Sequence, residues 1–228
     1  MKRIGIVFAM KEELNELLKI VELKKEYNIF DLNFYECIFN NMEIILVESG
    51  IGKVNSARAT QILIDNYKVD YIFNIGVAGG LRENISVCDI VVGEKLVQHD
   101  FDITPFNYEK GQIPNVGKYI ICDEYLVNLT KNIKTDSKIF YGTIASGDIF
   151  VTDKKMANKI STKFDALCTE MEGASIAQVC YLSHVPFLVI RSISDSPNGN
   201  NQLTYDDFLL LSSKIVAKFT VELLNNIE

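Results

Sequence analysis

The sequence predicts an α/β fold, with a mixed, mostly parallel, twisted central sheet flanked by helices on both faces. Short β-branched runs alternate with segments of helical period, which is how such a sheet and its covering helices read along a chain. Several of these runs are apolar almost throughout rather than alternating, as strands buried on both faces must be. With 228 residues, 48% of them hydrophobic and only four prolines, the chain can bury one sizeable core. No repeat, low-complexity segment or linker interrupts it, so a single domain over residues 1–228 is expected.

Strands are expected at residues 3–9, 43–48, 71–75, 89–94, 139–145 and 187–193. The first helix follows the first strand and gathers Met10, Leu14, Leu17, Leu18 and Val21 on one face, with Glu12, Glu13, Glu16 and Lys19 elsewhere. A second helix begins after Gly52, and another follows Glu172 through Ala174, Ala177 and Cys180. The last covers about 204–225, with Thr204 as N-cap, Asp207 three residues on, and Phe208, Leu211, Ile215 and Phe219 as its apolar stripe. Residues 123–134 and 153–164 also read as helices. Residues 99–117 carry aromatics and two prolines but no period, and read as a long ordered loop.

A formal charge of −7 excludes a nucleic-acid or anionic-membrane partner, since an acidic surface gains no counterion-release energy from a polyanion. A small-molecule substrate is expected instead. The five cysteines are widely spaced, mostly within apolar runs, and form no C-x-x-C pair, so they read as reduced core thiols. Met1-Lys2-Arg3 imitates the start of a secretion signal, but its apolar stretch ends at Met10 before Lys11, Glu12 and Glu13. No apolar run approaches the ~18 residues of a membrane span. A cytoplasmic protein is the expectation. His99 and His184 lack companions at ligand spacing, so both read as satisfied structural histidines, and neither a metal nor a cofactor is expected.

Two glycine-rich segments read as turns that each follow a strand: Ser49-Gly50-Ile51-Gly52-Lys53 and Gly76-Val77-Ala78-Gly79-Gly80. Glycine there lets backbone amides approach a ligand, although a tight strand-to-helix turn uses glycine equally well. Neither segment is a phosphate loop or a complete G-x-G-x-x-G. Four acids stand just beyond apolar strands or at helix starts: Glu13, Glu170, Glu172 and Asp195. Such positions converge on one mouth of a parallel sheet, where desolvation tunes a carboxylate for proton transfer. Each also has a structural reading. Acids favour the first turn of any helix, Glu170 and Glu172 suit helix capping, and Asp195 suits an Asx turn or an ion pair with Arg191.

In order along nearly the whole chain, these pieces resemble the 5'-methylthioadenosine/S-adenosylhomocysteine nucleosidases of the purine nucleoside phosphorylase superfamily. The resemblance rests on Ile4-Gly5-Ile6 with Ala9-Met10-Lys11-Glu12-Glu13, on the two glycine segments with Asn74 and Ile75, on Ser146-Gly147-Asp148, on Glu170-Met171-Glu172, and on Arg191-Ser192-Ile193-Ser194-Asp195. It implies a nucleoside phosphorylase-like fold and an N-glycoside hydrolase that releases adenine from methylthioadenosine, S-adenosylhomocysteine and 5'-deoxyadenosine. Glu13 would then activate the attacking water, Asp195 would protonate adenine N7, and Glu172 would hold the ribose hydroxyls. Met171 would pack under the sugar, with Met10 and Ile51 lining the same pocket. Phe150 and Val151 would flank the adenine, and Pro197 and Tyr205 would close over it. Ile103, Phe106 and Pro114 resemble residues lent to a neighbouring subunit's 5' pocket, which implies a homodimer. Val77 departs from the pattern, standing where a Ser or Thr hydroxyl is usual. A missing hydrogen bond of about 1 kcal/mol there implies a reduced rate or altered preference rather than lost activity.

The nearest rival is a phosphate-dependent phosphorylase, which needs arginines converging on the anion. Only Arg58, Arg82 and Arg191 follow Arg3, of which Arg82 alone is placed to reach a phosphate, and the Glu13 carboxylate would repel one. A hydrolase of another nucleoside, such as futalosine or AMP, is a second rival. A non-catalytic nucleoside sensor is a third, against which stands the presence of all three carboxylates.

Overall fold

The computed structural model describes residues 1–195 and 205–227, without the side chains of 205–207. Its centre is made by the apolar runs. β1 (Lys2–Phe8) lies between β4 (Met42–Glu48) and β5 (Tyr71–Gly80), parallel to both, with Ile4 opposite Ile44 on one side and Tyr71 on the other. β10 (Phe187–Asp195) runs parallel on the far edge of β5, from Phe187 opposite Ile72 to Asp195 opposite Gly79. Ile4, Ile6, Phe73, Ile75, Leu188 and Ile190 are fully buried there, as continuous apolar strands require.

The second half of the sheet closes on itself. β10 pairs antiparallel with β6 (Ile90–Gln98), β6 pairs parallel with β8 (Ile139–Ser146), and β8 pairs parallel with β9 (Ala166–Glu170). β9 returns to β5 through Thr169 opposite Gly79 and Cys168 opposite Gly80, completing a five-strand circuit. Accumulated twist makes such closure possible and removes two free edges. β7 (Ile120–Ile121) adds to β6, while β2 (Glu22–Ile29) and β3 (Leu32–Phe39) form a hairpin on β4.

Helices cover both faces. α1 (Lys11–Leu18) packs with α6 (Tyr205–Asn225), and α6 covers β5 and β10. On the other side α2 (Lys53–Ile62) packs against α5 (Gly173–Leu182), which lies over β6 and β8. α3 (Glu124–Thr130) and α4 (Lys154–Phe164) start at Asp123 and Asp153, whose carboxylates accept from amides of the first turn. The five cysteines are free thiols, four of them buried. No helix among the described residues is long and apolar enough to cross a membrane.

Four expectations are corrected. Gly76-Val77-Ala78-Gly79-Gly80 is not a turn but the end of β5, held by β10 and β9. The hairpin β2–β3 and strand β9 were not foreseen. α6 buries Leu209, Val216, Phe219 and Leu223 but exposes Leu211, because Ser212 and Thr220 turn inward and satisfy their hydroxyls on the carbonyls of Ile193 and Val216. His99 is buried, yet its Nε2 has no hydrogen-bond partner, and burial lowers its pKa. The neutral ring packs against Gly147, where an added Cβ would fall 2.3 Å from Nε2. Thr204, read as the cap of α6, lies outside the described residues.

Phe73 stands where β1, β5 and β10 meet, opposite both Ile6 and Leu188, with no exposed surface. Phe73→Ala is expected to lower unfolding free energy by about 3 to 5 kcal/mol, from lost transfer energy and a residual cavity. Urea denaturation checks this, and a loss below about 1 kcal/mol would show that the three-strand junction is not the packed centre.

Candidate active site

The carboxyl ends of β1, β4, β5, β8, β9 and β10 open into one cleft of about 610 Å³. This is where parallel sheets deliver backbone amides and helix N-termini to a ligand. β1 ends at Phe8, and the chain turns through Ala9 and Met10 into α1, so Glu13 falls on the first turn and points back over the strand end. Its Oε2 accepts from the amides of Ala9 and Met10, each at 3.1 Å, and its Oε1 from the amide of Val77 at 3.0 Å. Glu13 is 2% exposed. Burial raises its pKa, against the opposing pull of Arg191 and the three amides. Gly76 makes room for this carboxylate, since a Cβ there would lie 2.6 Å from Glu13 Oε1.

Glu170 and Glu172 stand only one residue apart but take opposite electrostatic states. Glu170, at the end of β9, pairs with Arg191 of β10, a side chain 1% exposed in the middle of the strand circuit. Its oxygens also accept from the Ser146 hydroxyl and from the amides of Glu172 (3.0 Å) and Gly173 (2.7 Å) at the start of α5. Burial alone would raise its pKa, but Arg191 and these donors hold it below the usual carboxylate value. Glu172 has no such cation. Burial and the charge of Glu170 push it up to about 8, although the amide of Gly52 donates to its Oε1 at 2.8 Å.

Asp195 closes β10 just after a register irregularity between Ile193 and Asp195, which turns it toward the cleft. The Ser194 hydroxyl donates to its Oδ1 at 2.9 Å, and burial raises its pKa. Gly79 permits this approach, because a Cβ there would stand 2.9 Å from Asp195 Oδ2. Of the two structural readings open for Asp195, the ion pair with Arg191 is not formed: Arg191 gives its guanidinium to Glu170 and Asn74.

Met10, Glu13, Ile51, Val77, Phe150, Val151, Met171, Glu172 and Asp195 therefore line one cleft. Ile103, Phe106 and Pro114 do not. Phe106 is 74% exposed, within a short helical turn of the 99–117 loop. Pro197 lies outside the described residues, as does the side chain of Tyr205. Ile149 and Thr169 also face the cleft and were not singled out from the sequence. Neither was the buried network behind it, in which Arg191 joins Asn74 to Glu170 and the Ser146 hydroxyl accepts from the Ala174 amide at 2.7 Å. The glycine motifs did carry a signal for it, since Gly76 and Gly79 are small because carboxylates touch them.

No lysine or arginine lines the cleft among the described residues. Arg82 bonds to Asp165 and the carbonyl of Ala166, and Lys53 to Asp100. No group of three or more potential metal ligands occurs among the described residues. The cleft thus combines an apolar lining with three acids that bind protons more tightly than free carboxylates do, and offers an incoming anion no countercharge.

Comparison with known proteins gives a consistent neighbourhood. The profile described as the Phosphorylase superfamily matches residues 3–225. A protein of Exiguobacterium sp. named 5'-methylthioadenosine/S-adenosylhomocysteine nucleosidase is 39% identical over 230 residues, covering 99% of each chain. The solved S-adenosylhomocysteine nucleosidase of Streptococcus pyogenes, in complex with 5-methylthiotubericidin, is 36% identical with a TM-score of 0.92, covering 100% of this chain and 98% of that one. A structure described as futalosine hydrolase of Helicobacter pylori is 35% identical with a TM-score of 0.93, over 99% of this chain and 98% of that one.

The raised pKa of Glu172 has a measurable consequence. Between about pH 4.5, where the group titrates when unfolded, and about 8, where it titrates when folded, the folded chain holds a proton that the unfolded chain has lost. Stability must therefore fall as pH rises through this window, and the raised values of Glu13 and Asp195 act in the same direction. Glu172→Gln should flatten the decline in urea midpoint between pH 5 and 8. An unchanged slope in the variant would contradict the assignment.

Proposed function

The chain belongs to the phosphorylase superfamily and, within it, to the 5'-methylthioadenosine/S-adenosylhomocysteine nucleosidases, and on that premise we propose how this cleft performs their reaction. The chain is an N-glycoside hydrolase that cleaves methylthioadenosine and S-adenosylhomocysteine to adenine and the thioribose product. One observation carries the proposal: three acids of raised proton affinity converge on an apolar cleft that, among the described residues, has no cation for phosphate.

Glu13 acts as the general base. Three backbone amides fix its orientation, so a water at the cleft face can give up a proton as it attacks the anomeric carbon. Asp195 acts as the general acid. Burial raises its pKa, which favours the protonated form, and a proton passed to N7 lets the base leave as neutral adenine when the glycosidic bond breaks. Glu172 holds the ribose hydroxyls, and its position on the Gly52 amide sets the sugar between the two. Met171 packs under the sugar, Met10 and Ile51 line its pocket, and Phe150 and Val151 flank the base. Pro197 and Tyr205 are assigned to the closing side of the pocket. Val77 contributes its amide to Glu13 and has no hydroxyl for the sugar or the water. In inosine and guanosine a 6-oxo acceptor replaces the adenine amino donor beside N7, so the site meets lone pairs and discriminates against both. 5'-Deoxyadenosine is a further expected substrate. The likeness to a protein described as a futalosine hydrolase makes futalosine the other nucleoside to assay.

We further propose a cytoplasmic homodimer, in keeping with the free cysteines. Val54 on α2 is 79% exposed, and Tyr181 and Leu182 on α5 and Ile121 on β7 are also exposed. α5 packs against both α2 and β7, and exposed apolar side chains on these elements are the kind that an interface covers. Ile103, Phe106 and Pro114 are assigned to a partner's 5' pocket.

Glu13→Gln and Asp195→Asn should each lower turnover at least about a hundredfold with the fold intact, the usual contribution of a general acid or base. Adenine release from methylthioadenosine, together with circular dichroism, checks this; near-native turnover in Glu13→Gln would reject it as the base. Sedimentation at assay concentration should give a dimer, and an active monomer would reject the proposed subunit sharing.

A further inference from the structure

Lys53 ends the first glycine segment and takes no part in the chemistry above, yet its ammonium has two side-chain acceptors. Its side chain is 17% exposed, and its ammonium donates to Asp100 Oδ1 at 2.8 Å and to Gln98 Oε1 at 3.1 Å. The other oxygen of Asp100 accepts from the amide of Asp148 at 2.9 Å. Asp148 Oδ1 in turn accepts from the amide of Lys53 at 2.8 Å. The first residue of α2 and one residue from each of two loops thus form a closed ring. Gln98 extends it through a 2.8 Å bond to Gln178 on α5. Gly52 fits this arrangement, since a Cβ on it would stand 3.2 Å from Asp148 Oδ1.

Two members of the ring, Lys53 and Asp148, lie in the chain beside parts of the cleft. Gly52, beside Lys53, gives its amide to Glu172, and Ile51 lines the cleft. Asp148 is followed directly by Ile149, Phe150 and Val151, the opposite wall. Asp100 begins the 99–117 loop. Lys53 and Asp148 bring the Ile51–Gly52 segment and the Ile149–Val151 segment to one point while neither lines the cleft itself. We propose that the Lys53–Asp100–Asp148 ring is a positioning device that fixes the ribose-binding half of the cleft relative to the base-binding half. It rests on the nucleosidase reading, because that reading defines the two halves. The ring acts through alignment, so it matters most to a ligand that spans both halves and little to one that occupies a single half.

The test compares those two ligands in Lys53→Met, Asp100→Ala and the double variant. For methylthioadenosine, kcat/KM should fall about tenfold or more in each single variant, chiefly through KM, because displacements well under 1 Å already cost that much in an aligned site. The double variant should be no worse than about threefold beyond the weaker single, as residues of one network are not additive. Adenine affinity by calorimetry should stay within about threefold of the parent. The proposal is overturned by nucleoside kcat/KM within about threefold of the parent, by additive losses, or by adenine and nucleoside losses in parallel. If Asp100→Ala melts without cooperativity, Lys53→Gln, which keeps a bond to Gln98 and removes the charge, carries the same comparison. A parent protein that releases no adenine refutes the nucleosidase reading, whereas normal parent turnover with unaltered variants refutes the ring alone.

Discussion

The ion pair between Arg191 and Glu170 is the interaction on which the site depends. Both side chains are almost wholly withdrawn from water, and removing either partner would leave a buried charge uncompensated, a cost of about 3 to 5 kcal/mol. Asn74 and Ser146 add hydrogen bonds to the pair, which ties β5, β8, β9 and β10 together around it. Because Glu170 neutralises Arg191, the only buried arginine among the described residues, Glu13 and Glu172 feel the cation's field without pairing with it. Burial then decides their proton affinity and that of Asp195, and all three are raised. One strong pair thus leaves the other three carboxylates without a cation of their own.

Helix starts supply the remaining stabilisation. The Glu13 carboxylate sits at the N-terminus of α1, Glu170 at that of α5, and Glu172 and Asp148 at that of α2. Unsatisfied amides and the macrodipole favour an anion at each position. Backbone amides thus orient Glu13 and Glu172 without a cation of their own, and among the described residues nothing in the lining offers phosphate a countercharge. The capping reading and the catalytic reading of these acids are therefore the same fact seen from two sides.

Much of this was legible in the sequence because the central strands are apolar and the acids stand at their ends. What was not legible has physical causes. β2 is a charged edge strand through Lys24, Lys25 and Glu26, so burial left no alternation to read, and its turn uses Phe30 and Asp31 at positive φ where glycine or asparagine is usual. Gly76 and Gly79 looked like turn residues because glycine marks close approach and chain reversal alike; here the approaching groups are Glu13 and Asp195. The ring through Lys53 joins residues 47 and 95 positions apart, a closeness that only the folded sheet creates.

The central claim is that water, not phosphate, attacks the sugar, because the cleft holds carboxylates and, among the described residues, no free cation. Turnover of methylthioadenosine in ¹⁸O-water with millimolar phosphate, followed by mass spectrometry of the sugar, tests it most directly. The account predicts one ¹⁸O in the thioribose product and a rate unaffected by phosphate; a sugar 1-phosphate, or a rate that requires phosphate, would contradict it.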